Sequence, residues 1–101
     1  MSKVSVVAKI TAQPGKRDAL VEALRGLLDA AQDEAGTVLY LANTDNKNPD
    51  VVWFYEVYTT ADDLKAHSSS DAMKAAGAAL GGLVAGPPEL FVGEVIGGKG
   101  L

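Results

Sequence analysis

One histidine and one carboxylate set in an aromatic run are the residues of this chain best suited to move a proton. Glu56 stands inside Val51-Val52-Trp53-Phe54-Tyr55-Glu56-Val57-Tyr58, between Tyr55 and Val57. A carboxylate in such a run is at least partly buried and needs a partner, because an isolated buried charge is costly. His67, at the end of the helix predicted next, is a candidate for that partner. A Glu56–His67 pair would orient the imidazole for general acid–base catalysis. The same pair could serve only to hold helix to sheet, and both readings stay open. Around these two, Tyr40, Trp53, Phe54 and Tyr58 supply large aromatic surfaces. Such rings either fill core and interface or line a ligand pocket.

Other chemistries lack their residues. The chain has no cysteine, which removes disulfides, thiolate catalysis and cysteine-based metal sites. A single histidine cannot build a multi-histidine metal centre, and no GxGxxG, Walker-type loop or HExxH is present. No metal and no other cofactor is therefore expected. Ser68, Ser69 and Ser70, next to His67, read as residues of a helix connection rather than as nucleophiles. The net charge is −4, from 9 basic and 13 acidic residues, and the basic ones form no cluster. Neither nucleic acid nor an anionic membrane is expected as a partner. The start, MSKVSVVAKI, has no long apolar core of a signal peptide, and no apolar run approaches the ~20 residues of a membrane span. The expected location is the cytoplasm.

The elements that must position these residues can be read in order. Val4 to Ala12 is rich in β-branched residues, with Val4, Val6, Ala8 and Ile10 on one alternate face, and reads as a strand. Gln13-Pro14-Gly15-Lys16 breaks it. Leu20, Leu24, Leu27, Leu28 and Ala31 then form the apolar stripe of a helix from Arg17 to Ala35, with Gly36 placed to end it in a left-handed conformation. Thr37–Thr44 and Val51–Tyr58 are strands joined across Asp45-Asn46-Lys47-Asn48-Pro49-Asp50, a turn-rich hairpin loop. Thr60 and Asp63 have the form of a capping box for a short helix reaching His67, and Ser70-Asp71 can cap another from Ala72 to Leu80. After Pro87-Pro88, Leu90 to Ile96 is the last strand, and residues 97–101 form a tail. The order is β-α-β-β-α-β in one domain of 101 residues, the α+β arrangement of ferredoxin-like sandwiches with an antiparallel sheet.

The hairpin predicts an assembly as well. Val51, Trp53, Tyr55 and Val57 share one face of their strand, while Val52, Phe54, Glu56 and Tyr58 share the other. A sheet wetted on one side should alternate apolar with polar, and this strand does not. Helices can cover one face only. The other is expected to pack on a copy of itself, giving a homodimer whose sheets face each other.

With these residues in place, the chain resembles the antibiotic biosynthesis monooxygenase family. The resemblance rests on Pro14-Gly15-Lys16, Glu34-Ala35-Gly36, Tyr40, the run Phe54-Tyr55-Glu56-Val57-Tyr58 and Ala66-His67, in the family's order across nearly the whole chain. It implies a dimeric α+β barrel. It also implies oxygenation of electron-rich aromatic substrates, such as quinols and polycyclic phenols, by molecular oxygen without flavin or metal. The substrate, as enolate or phenolate, would supply the electron, and the protein an apolar pocket, donors and a base. His67 and Glu56 would be the catalytic residues, with Tyr40, Trp53, Phe54, Tyr58 and Met73 against the substrate.

The chain departs from the family at several points. Ala35 stands where a proline is usual, and Ala72 and Met73 stand where many quinol-oxidising members carry a second histidine and a phenylalanine. Haem-degrading relatives use an asparagine, a tryptophan and an axial histidine at positions that align with Ile10, His67 and Gly77 here, which argues against haem degradation. Two further functions remain open beside the monooxygenase. One is an isomerase-type proton transfer on a small oxygenated metabolite by the same His67 and Glu56. The other is a non-catalytic dimeric ligand-binding module.

Overall fold

The strand expected at the N-terminus forms as β1 (Val4–Thr11), in a computed structural model that describes residues 2–101. Val6, Ala8 and Ile10 are buried and the residues between them are half-buried, the two-residue period of a pleated strand. There follow α1 (Arg17–Ala31), β2 (Thr37–Thr44), β3 (Val51–Tyr58), α2 (Ala61–Ser68), α3 (Asp71–Ala79) and β4 (Glu89–Glu94). The sheet order is β2-β3-β1-β4 and every neighbouring pair is antiparallel. This is the anticipated ferredoxin-like α+β topology, with its second helical segment split in two.

Register decides which side chains meet. Val6 lies opposite Glu56, Ala8 opposite Phe54 and Ile10 opposite Val52, while Tyr40 lies opposite Glu56 from the other side. These residues therefore share one face of the sheet. Leu20, Leu24 and Leu27 of α1 and Ala76 of α3 pack onto it, forming a core with Ala8, Ile10, Ala12, Val52 and Phe54. Leu20 and Leu24 are fully buried, each contributing about 1.5–3 kcal/mol. On the opposite face Leu41, Tyr55 and Phe91 are 50%, 45% and 59% exposed. Val7 lies opposite both Tyr55 and Phe91, and Leu41 opposite Tyr55, so this second apolar face runs across all four strands.

Three boundaries differ from the sequence expectation, each for a local reason. Helix α1 ends at Ala31 rather than Ala35, because its buried stripe of Leu20, Leu24, Leu27 and Ala31 runs out there. The next N–H groups bond three residues back, Asp33 to Ala30 and Glu34 to Ala31, the tightened turn common at helix ends. Gly36 is not left-handed. It is instead a site of close approach, since a Cβ there would fall 2.1 Å from Cγ of Asp63. Strand β4 stops at Glu94 rather than Ile96, because Glu94 already lies opposite Val4, the first residue of β1.

The capping box of α2 forms as expected. The Asp63 N–H donates to Thr60 Oγ1 at 3.2 Å, and the Thr60 N–H donates to Asp63 Oδ2 at 3.1 Å. Among the described residues no helix is long and apolar enough to cross a membrane.

Candidate active site

Beneath the helices, the covered face of the sheet lines a cavity of about 340 Å³. That volume lies near the lower end of the range for small-molecule sites, roughly 300–1,000 Å³. Its walls are apolar: Val6, Ala8, Ile10 and Phe54 from the sheet, Leu24 and Leu27 from α1, Leu64 from α2, and Met73 from α3. Leu80, Pro88, Leu90 and Val92 line the side toward β4, which is open: Leu90 and Val92 are 60% and 63% exposed. The polar lining is small and consists of Tyr40, Glu56, His67 and Ser68.

His67 reaches this cavity because α2 is short and well started. The Thr60–Asp63 box fixes its first turn, and His67, in its last turn, is the buried residue of the helix. The imidazole is only 4% exposed. Its Nδ1 lies 2.8 Å from Oε1 of Glu34. Thr37 Oγ1 donates to the same carboxylate oxygen at 2.7 Å. The rings of Tyr40 and Tyr58 pack against it with centroids 4.9 and 5.4 Å away. Among the described residues, His67 Nε2 is the buried side-chain polar atom left without a hydrogen-bond partner. Buried polar groups are nearly always satisfied, so an orphan of this kind requires an explanation.

The expected Glu56–His67 hydrogen bond does not form. Glu56 instead accepts from the Tyr58 hydroxyl at 2.5 Å. Residues two apart on a strand point the same way, so Tyr58 is within easy reach of Glu56 on β3. Burial pushes the Glu56 carboxyl above its usual range; the bond from Tyr58 and the nearby His67 partly oppose this, and Glu34 adds to it. Burial likewise raises the Tyr40 and Tyr58 hydroxyls, with the Glu56 carboxylate reinforcing the effect. Both tyrosines therefore remain neutral donors at ordinary pH.

The other residues anticipated from the sequence divide by face. Tyr40, Phe54 and Met73 line the cavity together with His67 and Glu56. Tyr58, fully buried, stands behind it as the donor to Glu56. Trp53 is not brought there. It pairs with Lys9 on the opposite face, and its indole N–H donates to Asp45 Oδ1 at 2.9 Å in the hairpin loop. An odd position on β3 cannot join the even ones, which is why the aromatic run could not be used as a single cluster.

Sequence reasoning gave no role to Glu34. A signal for it does exist: Asp33-Glu34 would place two acids at the end of the predicted helix, where the dipole disfavours them. Such a placement points to an earlier helix end or to a separate task. Among the described residues no three His, Asp or Glu side chains converge as a metal-ligating set.

The same architecture recurs in solved structures. A candidate antibiotic biosynthesis monooxygenase from Chloroflexus aurantiacus is 31% identical, with 98% of each chain covered and a TM-score of 0.83. Another from Caulobacter crescentus is 29% identical over 95% of this chain and 92% of that one, with a TM-score of 0.89. A protein of unknown function from Nitrosomonas europaea, 24% identical over 98% of this chain and 94% of that one, shares the fold at a TM-score of 0.86. No curated protein matches the chain. Residues 3–79, which carry β1 through α3 and every polar residue of the cavity, match the model of the antibiotic biosynthesis monooxygenases, and the chain belongs to that family.

Proposed function

We propose that this protein is a cofactor-independent monooxygenase that oxidises a quinol, polyphenol or polycyclic aromatic substrate with molecular oxygen. Family membership supports a monooxygenase-like role. The observation that carries the finer reading is the unpartnered Nε2 of His67 beside a largely apolar cavity. A substrate hydroxyl is the group that would satisfy it. His67 takes the hydroxyl proton, and the apolar walls favour transfer of an electron from the resulting phenolate to oxygen over transfer of charge to water. One oxygen atom enters the ring and the other leaves as water, so a quinol becomes a hydroxyquinone without any external reductant. Tyr40, which lines the cavity and is held neutral by burial, offers its hydroxyl to the substrate oxygen without adding a second full charge.

The test is oxygen consumption by chelator-treated protein with a panel of hydroquinones and naphthols. Uptake that falls by roughly 10²-fold in His67→Ala, the usual scale of general acid–base help, supports the proposal. Turnover of a panel compound without oxygen consumption would instead identify a proton-transfer isomerase. Binding without turnover would identify a ligand-binding module.

A further inference from the structure

We propose that Glu34 is a positioning residue for His67: it holds the Nδ1 proton and so leaves Nε2 as a bare acceptor at the cavity. The inference rests on the functional reading above and names a residue that reading does not use.

Three features of the fold converge on this contact. Helix α1 stops at Ala31, so Glu34 falls in the turn that leads to β2 rather than on a helix face. The adjoining Gly36 leaves room for Asp63, whose capping box starts the helix that carries His67. Thr37 then donates to the Glu34 oxygen that His67 Nδ1 also contacts, which keeps the carboxylate in place from a second direction. Glu34 is thus held by Thr37, the first residue of the strand that follows it, and His67 by its own helix.

The chemistry follows from what a carboxylate can do. Ionised, it only accepts, so the nitrogen 2.8 Å away must carry the hydrogen. In a neutral imidazole the other nitrogen is then an acceptor. Glu34 does not line the cavity and His67 does. The ring therefore turns its protonated edge toward Glu34 and its lone pair away from it. Glu56 cannot play the same part, because it makes no hydrogen bond to His67 and is engaged by Tyr58. A free imidazole would exchange between tautomers, and only one of them can accept a proton from a ligand hydroxyl at Nε2.

The experiment reads the tautomer directly. Two-bond proton–nitrogen NMR of the labelled protein, recorded where the ring is neutral, should show hydrogen on Nδ1 and none on Nε2 of His67. Glu34→Ala should populate the Nε2–H form, and Glu34→Gln, which keeps an acceptor oxygen, should restore the original one. Calorimetry with 1-naphthol and 1-methoxynaphthalene supplies a second readout. The wild type should prefer the naphthol by about tenfold or more, because the ether cannot donate to Nε2, and Glu34→Ala should erase that preference.

Hydrogen on Nε2 in the wild type would overturn the proposal even if Glu34→Ala failed to fold. An unchanged tautomer and unchanged preference in a folded Glu34→Ala would overturn it as well. The predicted tautomer in a protein that consumes no oxygen would sink the monooxygenase reading and leave the role of Glu34 intact.

Discussion

Glu34 and His67 lie 33 positions apart in the chain, yet Oε1 of one is 2.8 Å from Nδ1 of the other, with Thr37 donating to the same oxygen. The contact joins the turn after α1 to the end of α2 and fixes the only imidazole of the protein over the cavity.

Gly36 is one support of this contact. Adding a methyl group there would drive a Cβ to 2.1 Å from Asp63 Cγ and 2.5 Å from Asp63 Cβ, too near the main chain for a simple rotation to relieve. Gly36→Ala should therefore break the Thr60–Asp63 box and cost about 1 kcal/mol, the usual scale for a lost N-cap. Denaturant melts will read the loss. Asp63→Ala in the same background should add little, because the two changes act on one contact.

Glu56 supplies a pH dependence with a definite sign. Its folded carboxyl titrates above the ordinary value of 4.5, chiefly because it is buried. Between those two values the folded state holds a proton that the unfolded state has released, so stability falls as pH rises through that window. Glu56→Gln keeps an acceptor for Tyr58 and removes the charge. It should flatten this decline, and urea midpoints across pH 4 to 8 will show whether it does. Parallel curves for the two proteins would refute the assignment.

The hairpin loop carries the opposite case. Asp45 accepts first from the Asn48 N–H, then from the Trp53 indole and the Lys47 N–H, and these bonds draw its carboxyl from 3.8 down to about 2. A lowered folded value means the contribution is complete above 3.8 and is lost as pH falls through about 2. Trp53 is the only tryptophan and its indole donates to Asp45, so its fluorescence reports that contact. An acid transition in that range should vanish in Asp45→Asn. Its persistence there would assign the transition to some other group.

The exposed sheet face bears on assembly. Leu41, Tyr55 and Phe91 form a continuous apolar surface next to Val7, and among the described residues no helix covers it. We expect a twofold homodimer burying more than ~1,200 Å² through this face. Sedimentation at micromolar concentration should show a dimer for the wild type and a monomer for Tyr55→Lys combined with Phe91→Lys. A monomeric wild type would exclude the arrangement.

How much of this was legible beforehand depends on the range of the interaction involved. The strands, the hairpin and the Thr60–Asp63 box follow from patterns within a few residues, where the chain geometry alone sets who meets whom. The sequence by itself therefore determined the β-α-β-β-α-β order, the two apolar faces of β3 and the presence of Tyr40, Phe54, Glu56 and His67 near one another. The partner of Glu56 and the face of Trp53 follow from strand parity, and only the tertiary structure decided what His67 meets. Glu56 went to Tyr58 because a strand places i and i+2 on one side. His67 went to Glu34 because α1 ended four residues short of Ala35 and released that carboxylate into a turn. Trp53 left the cavity because its parity on β3 points it to the other face. Local propensity carries no information about a contact 33 residues away. That contact exists only once the packing of α1 and α2 on the sheet has brought the two ends together.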